Sequence, residues 1–393
     1  MNTWNEIKSI IVEKITKNGL KYQDRDFYVF GAGILGKSIA KTLDYLGVFK
    51  GYIDNDKKKQ RTGAFGYPVF PFEQISGNRP FIVVACAEKN KKAIEDQIKE
   101  SGFQPNDDFE YIDDFTDNDL PFIFYYQKRM TFVRLSQISL TERCTLKCEK
   151  CAHSCYNVPS TAEDLSLEKV KESADYYFRN VDYTDEFVLI GGEPLLYKQL
   201  PEAIAYVGSK YRNKMSDFTI TTNGTVVPNS EIFKECVKNN VTFHVSDYSR
   251  SVPRLKEKYV HLREVFDKNK VSYLFYPEDS IWTDYGIGII NRNANEDKLK
   301  NVFDSCHTPC REVRENKFYY CVMARSTADN LKLDIGEKDY LDLSVVNTVE
   351  DAKLKILAFQ TGSIEKGYLD MCNHCYGADR IEHPVPAGLQ KMK

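Results

Sequence analysis

Apolar positions along this chain fall into two alternating patterns, short unbroken runs and stripes at helical spacing. Trp4, Ile7, Ile11 and Ile15 form such a stripe among charged residues, so the first segment predicts an amphipathic helix and not a secretory signal. Phe27, Tyr28, Val29 and Phe30 make a short buried run, and Ile39, Leu43 and Leu46 place a helix after it. A second strand ends in Gly51-Tyr52-Ile53-Asp54, and Phe81-Ile82-Val83-Val84-Ala85 is a third, followed by a helix from Lys91 to Ser101. This alternation predicts a parallel sheet over residues 1–115. The stretch from Asp113 to Asp119 is acidic and reads as irregular, which puts a linker at 116–130.

A second series follows. Strands are expected at 133–140, 187–190, 218–222, 242–246, 271–275 and 287–290, with helical stripes between them such as Leu167, Val170, Ala174 and Phe178. Six βα units over residues 131–295 predict a partial parallel barrel, (β/α)6, and not the full eight-stranded form. Beyond about Asn295 the pattern gives way to short hairpins and cysteines, so 296–393 is expected to be a smaller third domain. The fold class is α/β, a doubly wound parallel sheet followed by the partial barrel and a cysteine-rich C-terminal domain.

Composition narrows the function. Lys and Arg number 54 against 57 Asp and Glu, a net charge of -3, so the basic excess of a nucleic-acid binder is missing. No apolar run approaches the roughly 20 residues that span a bilayer, and a soluble, cytoplasmic chain with no membrane partner is expected. Cysteines change the picture most. Of the 11, Cys86 and Cys236 stand alone. Cys144, Cys148, Cys151 and Cys155 crowd together, and Cys306, Cys310, Cys321, Cys372 and Cys375 gather near the C-terminus. In a compartment that keeps thiols reduced, two such clusters mean metal, either zinc or iron–sulfur.

Cys144-x3-Cys148-x2-Cys151 directly follows the first barrel strand, where barrel active sites are built. The segment LTERCTLKCEKC resembles the cluster loop of the radical S-adenosylmethionine (SAM) superfamily. Gly191-Gly192-Glu193-Pro194 looks like the segment that holds the SAM amino group in that superfamily. Asn223 and the pair Ser246-Asp247, at later strand ends, match positions that help to hold the ribose and carboxylate. The resemblance implies a [4Fe–4S] cluster with one iron left for SAM, reductive cleavage to a 5′-deoxyadenosyl radical, and hydrogen abstraction from substrate. An electron donor such as flavodoxin or ferredoxin is implied as partner. Lys150 departs from the pattern, since relatives commonly place an aromatic there against adenine. The alternative is a zinc knuckle of the three cysteines with Cys155 or His153, and Cys155 is otherwise an ordinary thiol or a hydrogen donor.

The C-terminal spacing Cys306-x9-Asn316-x4-Cys321, with Cys372 and Cys375 after it, resembles the auxiliary-cluster domains called Twitch and SPASM. It implies one auxiliary [4Fe–4S] cluster on Cys321, Cys372, Cys375 and either Cys306 or Cys310; structural zinc is the alternative. Asn316 stands where such hairpins carry glycine, and it tolerates the positive φ that the turn needs.

Gly31-x-Gly33-x2-Gly36, between a strand and a helix and with Asp54 further on, has the context of a dinucleotide-binding turn. The surrounding segments resemble small Rossmann-like domains attached to sugar-modifying enzymes, which implies a nucleotide or nucleotide sugar as ligand; a scaffold with no working ligand site is the alternative. His244 reads as a satisfied core histidine, His307 and His374 as neighbours of cluster cysteines, and Trp282-Thr283-Asp284-Tyr285 as a pocket wall. The expected function is a radical SAM enzyme acting on a carbohydrate-type small molecule. A peptide-modifying enzyme is the second choice, and a nicotinamide-dependent dehydrogenase or nucleotide sensor with zinc sites is the choice from another class.

Overall fold

The structure is a computed structural model that describes residues 3–75, 80–287, 291–306, 308–346, 351–377 and 383–391. The chain divides into two compact units, Lys8–Arg134 and Leu135–Lys393 with Met1–Ile7. Among the described residues no helix is long and apolar enough to cross a membrane.

In the first unit β1 (Phe27–Phe30), β2 (Phe49–Ile53), β3 (Val69–Phe70), β4 (Phe81–Val84) and β5 (Phe109–Tyr111) form one parallel sheet in the order β3-β2-β1-β4-β5. Phe30, Ile53, Phe72, Ile82, Val84, Ile98 and Phe109 pack into one core. Because chain order reverses between β1 and β4, a crevice opens beyond their carboxyl ends, where open α/β sheets bind ligands.

The acidic stretch expected to be irregular is helical instead: Ile112–Asp114, a wider turn at Phe115–Asp119, and the helix Leu120–Lys128. Its charges are neutralised and its apolar residues are buried. Arg134 pairs with Asp113 and, at 2.7 Å, with Asp117; Lys21 lies 3.0 Å from Asp119. Phe115, Leu120, Phe122, Ile123 and Phe124 face inward.

The second unit contains β6 (Phe132–Ser139), β7 (Tyr183–Ile190), β8 (Met215–Thr222), β9 (Val241–Ser246), β10 (Ser272–Tyr276), β11 (Ile281–Thr283), β12 (Cys310–Arg314), β13 (Lys317–Tyr319), β14 (Tyr340–Asp342) and β15 (Pro384–Pro386). Eight of these make one sheet, β10-β9-β8-β7-β6-β12-β13-β14. Neighbours from β7 to β10 run parallel, and β12 runs parallel to β6. Of the sixth strand expected at 287–290, residues 288–290 lie outside the described residues. A strand from the cysteine-rich segment joins the opposite side of β6 instead, so the sheet crosses the expected boundary at 295–296.

Side chains alternate across this sheet. Phe187, Leu189, Phe218, Ile220, Phe243 and Val245 are buried on one face against helices; Phe243 stacks on Phe266 of the helix Lys256–Lys268, with ring centroids 4.9 Å apart. The other face carries Glu186, Ile190, Thr219, Thr221, His244, Ser246 and Tyr276. Ile190, Thr221, Ser246 and Tyr276, from the four consecutive strands β7 to β10, line one cavity, so this face is concave there.

Candidate active site

The carboxyl ends of β6 to β9 bring the sequence-chosen residues together. A cavity of about 540 Å³ is lined by Cys151, Gly191, Gly192, Asn223, Ser246 and Asp247, with Tyr248, Tyr276, Trp282 and Tyr285 as its aromatic walls. Glu193 and Pro194 do not line it. Glu193 is wholly buried and accepts from Thr222 Oγ1 (2.7 Å), Asn223 N (2.9 Å) and Leu195 N (3.1 Å). Burial pushes its carboxyl up to about 7, against these donors. Its work is to tie the β7 loop to the β8 loop, leaving the cavity wall to the two glycines. Glycine is required there, since a Cβ on Gly191 would sit 2.3 Å from Thr141 O and one on Gly192 2.3 Å from Arg143 O.

Donors aim at the thiols of the cysteine loop. Leu146 N and Asn223 Nδ2 each lie 3.5 Å from Cys144 Sγ, and Gln390 Nε2 lies 3.2 Å from Cys148 Sγ. Such hydrogen bonds favour thiolate sulfur, the form that binds metal. Burial nevertheless pushes Cys144 up to about 11 and Cys148 up to about 12, so deprotonation there needs a cation. Cys155 donates its thiol to Cys151, which lowers Cys151 and raises Cys155. Among the described residues no three His, Cys, Asp or Glu side chains close around a single point as ligands of one ion would. A cluster's thiolates bond to separate irons and need no shared point.

Gln390 was not foreseen. Its segment packs against the loop, with Glu149 N donating to Leu389 O (2.7 Å) and Lys147 N to Gln390 Oε1 (2.9 Å), and no local pattern signals so distant a pairing. Lys150, the departure from the aromatic pattern, reaches Asp284 at 2.8 Å, while Tyr248 and Trp282 meet edge to face across the cavity.

Two polar networks occupy the concave face. In the first, buried Arg325 pairs with Glu142 and with Glu312, whose Oε1 lies 2.5 Å away yet off-line for a hydrogen bond. Ser326 and Asn330 also donate to Glu142, Ser326 contacts His153 Nδ1 at 3.0 Å, and Gln137 joins Glu312 at 3.2 Å. In the second, His244 Nδ1 lies 3.2 Å from Glu186 Oε1 and 3.3 Å from the Tyr276 hydroxyl, and Thr219 donates to Glu186 at 2.7 Å. His244 thus has polar partners, as expected of a satisfied histidine, though it is not fully buried. It is half-buried, on the same face as the cavity-lining Thr221, Ser246 and Tyr276.

The C-terminal thiols separate into two places. Cys306, Cys321, Cys372 and Cys375 line one tight apolar cavity of about 20 Å³. Each of the last three is pushed up chiefly by burial, with neighbouring thiols adding to it, Cys375 to about 12. Cys310 stands apart: as the first residue of β12, opposite Leu135 of β6, it belongs to the strand and not to the thiol group. The positive φ of the hairpin falls on Glu315 (54°), one residue before Asn316, whose amide instead bonds Asp342 at 2.8 Å. His374 is buried beside the thiols, and its Nδ1 has no hydrogen-bond partner among the described residues. His307 lies outside the described residues.

In the first unit a separate cavity of about 570 Å³ is lined by Gly31, Gly33, Ile34, Leu35, Asp54 and Lys59, among others. Gly36 does not line it but lets helix meet strand, as its Cβ would sit 2.1 Å from Gly31 O. Asp54 accepts from Ala32 N (3.0 Å), Asp56 N (2.9 Å) and Lys59 Nζ (2.8 Å). Burial opposes its charge, yet these partners hold the carboxyl below its ordinary range.

Residues 138–267 match the family model described as the Radical SAM superfamily. A GTP 3',8-cyclase of Erythrobacter litoralis is 31% identical over 100 residues, 25% of this chain and 29% of that protein. A GTP 3',8-cyclase of Syntrophomonas wolfei is 24% identical over 286 residues, 67% of this chain and 81% of that one. The match thus spans less than a third of the first relative and about four-fifths of the second. Among solved structures, BtrN in complex with AdoMet and 2-DOIA gives a TM-score of 0.39 at 16% identity, covering 64% of this chain and 98% of that one. Tagged anSMEcpe with bound AdoMet gives 0.38 at 14% identity, covering 67% and 92%. The family match and the relatives support an enzyme of the radical SAM class.

Proposed function

We propose that the chain binds SAM at a [4Fe–4S] cluster on Cys144, Cys148 and Cys151 and removes a hydrogen atom from a neutral, hydroxylated small molecule of carbohydrate type. The observation that carries this is the shared cavity, in which Cys151, Gly191, Gly192, Asn223, Ser246 and Asp247 meet at the ends of adjacent parallel strands. Bound there, the cluster and SAM would supply a 5′-deoxyadenosyl radical. The protein's own part is to orient and to keep dry. Gly191 and Gly192 bring backbone to the cavity wall, Glu193 locks two loops in register, and Tyr248 and Trp282 offer flat apolar faces to a base.

A purine nucleotide is the second reading, because the relatives are named GTP 3',8-cyclases. The cavity favours the first. Lys150 is the one lysine or arginine among its described lining residues, and it is already paired with Asp284, while the lining carboxylate Asp247 lies 3.8 Å from Arg263. A triphosphate needs more cation than that.

Cys306, Cys321, Cys372 and Cys375 would hold an auxiliary [4Fe–4S] cluster in a Twitch-like arrangement, with the unpartnered Nδ1 of His374 left to meet its sulfur. The first unit would act as a Rossmann-like module for a nucleotide or nucleotide sugar. The test is SAM cleavage by anaerobically reconstituted protein. Cys144→Ala, Cys148→Ala and Cys151→Ala should each abolish 5′-deoxyadenosine, and full production by any of the three would refute the reading.

A further inference from the structure

The two thiol groups of the second unit are joined by one short helical segment. A wide helical turn, Met323–Thr327, begins just after Cys321 and runs into the helix Ala328–Leu331. At its near end Ala324 N donates to Cys321 Sγ at 3.4 Å, so the segment starts on the C-terminal thiols. Further along, its side chains reach the loop of Cys144, Cys148 and Cys151 from both ends. Ahead of the loop, Glu142 accepts from Arg325, from Ser326 Oγ at 2.8 Å and from Asn330 Nδ2 at 3.0 Å. Behind it, Thr327 Oγ1 donates to Ala152 O at 2.7 Å and Asn330 Nδ2 to His153 O at 2.8 Å. Ser154 Oγ adds a contact of 3.0 Å to Thr327 Oγ1.

Between Ser139 and Cys155 the chain forms no helix or strand element, so the shape of the cluster loop is imposed from outside it. Holding an irregular loop in one geometry costs conformational entropy, which bonds to its flanks must offset. Ser326 and Thr327 are buried, and buried hydroxyls are costly unless satisfied. Both find their partners in the residues on either side of the loop. The segment therefore has one end on Cys321 and the other on the neighbours of Cys144 and Cys151.

We infer that Met323–Leu331 is a strut through which an occupied C-terminal thiol site steadies the cluster loop, with Thr327 and Asn330 as its positioning residues. With Cys321 bound to metal the near end of the strut is fixed, and its far end holds Glu142 and Ala152 in place. A cluster on Cys144, Cys148 and Cys151 is then retained more tightly when the C-terminal site is filled, and linkage makes the effect reciprocal. The strut adds no ligand and moves no electron. The inference rests on the reading above that both thiol groups hold metal.

The experiment is an anaerobic chelator challenge of the full-length, iron-loaded protein. The loop cluster is followed by the electron paramagnetic resonance signal that changes when SAM is added, and total iron is counted alongside. Cys321→Ala should lose that signal roughly tenfold faster than wild type, and so should the double variant Thr327→Val with Asn330→Ala. Thr327→Ser, which keeps the hydroxyl, should behave as wild type, and the double variant should keep the C-terminal cluster's iron, about four atoms. Adding Cys321→Ala to the double variant should bring no further acceleration, because the same connection is already cut. A wild-type rate in Cys321→Ala or in the double variant would overturn the inference, as would multiplying effects in the triple variant or loss of the C-terminal iron from the double variant. Wild type with no SAM-sensitive signal, or with no metal on the C-terminal thiols, would sink the function proposed above. Wild type that holds both, with equal rates in every variant, would sink this inference alone.

Discussion

Replacing Arg325 by Met should unfasten the interior of the second unit, and the cost can be worked from its two carboxylates. Arg325 is 1% exposed, Glu312 is fully buried, and Glu142 keeps 14% of its side-chain exposure. Burial works against the Glu142 charge, but Arg325, helped by His153 and Asn330, holds the carboxyl down at about 2. A drop from 4.5 to about 2 corresponds to roughly 3 kcal/mol of stability at neutral pH. Glu312 moves the other way, raised by burial with Arg325 opposing the rise. Removing the guanidinium strands both carboxyls, and breaking a buried pair typically costs about 3–5 kcal/mol.

The pH dependence follows from the signs. A carboxyl held below its ordinary value contributes stability that is complete above about 4.5 and lost as pH falls toward 2. In Arg325→Met both carboxyls instead take up protons readily, so the deficit should be largest at neutral pH and narrow as pH drops through weak acid. Trp4 and Trp282, the chain's 2 tryptophans, both belong to the second unit, so denaturant unfolding followed by tryptophan fluorescence isolates it. Adding Glu142→Gln and Glu312→Gln to Arg325→Met should restore most of the loss. A deficit under about 1 kcal/mol at neutral pH would refute the reasoning, as would one that does not change with pH.

Two further outcomes test the thiols and the glycines. Cys321→Ala and Cys306→Ala should each lower bound iron from about eight to about four atoms, whereas Cys310→Ala should leave it unchanged; equal losses in Cys306→Ala and Cys310→Ala would contradict the grouping. Gly192→Ala forces a methyl to within 2.3 Å of Arg143 O, so the loop must shift, with a loss of about 1–3 kcal/mol in stability and weaker SAM binding by calorimetry. Wild-type affinity in that variant would show the close approach to be dispensable.

What the sequence made legible was local. The run from Phe27 to Phe30 and the glycines after it place β1 and its turn, because burial on both faces leaves an unbroken apolar signature. Cys144, Cys148 and Cys151 were legible as one group because the loop that carries them is short. Pairings across the chain were not. Arg325 meets Glu142 from 183 residues away and Gln390 meets Cys148 from 242, and neither partner carries a mark of the other. Which of Cys306 and Cys310 stands beside Cys321, Cys372 and Cys375 follows from strand register, since Cys310 starts β12 and Cys306 stands ahead of it. The acidic stretch misled because its charges announce solvent, while the Lys21 and Arg134 side chains that neutralise them lie at either end of the unit.

The curved sheet itself argues for a ligand inside it. Strands of a parallel sheet covered on both faces usually read as continuous apolar runs. β9 does not: Val241, Phe243 and Val245 alternate with Thr242, His244 and Ser246. The apolar set packs on the outer helices and supplies the stability, so the polar set on the concave face adds little to it. A buried polar group costs free energy unless it is paired, and a face of many such groups is tolerable only when they satisfy one another or face something polar. Glu142, Glu312 and Arg325 take the first course, as do Glu186 beside His244 and Asp247, which accepts from Ser249 N at 2.9 Å and lies 3.8 Å from Arg263. Asn223, Ser246 and Asp247, which line the cavity, are the polar groups of these strand ends that a ligand there would meet.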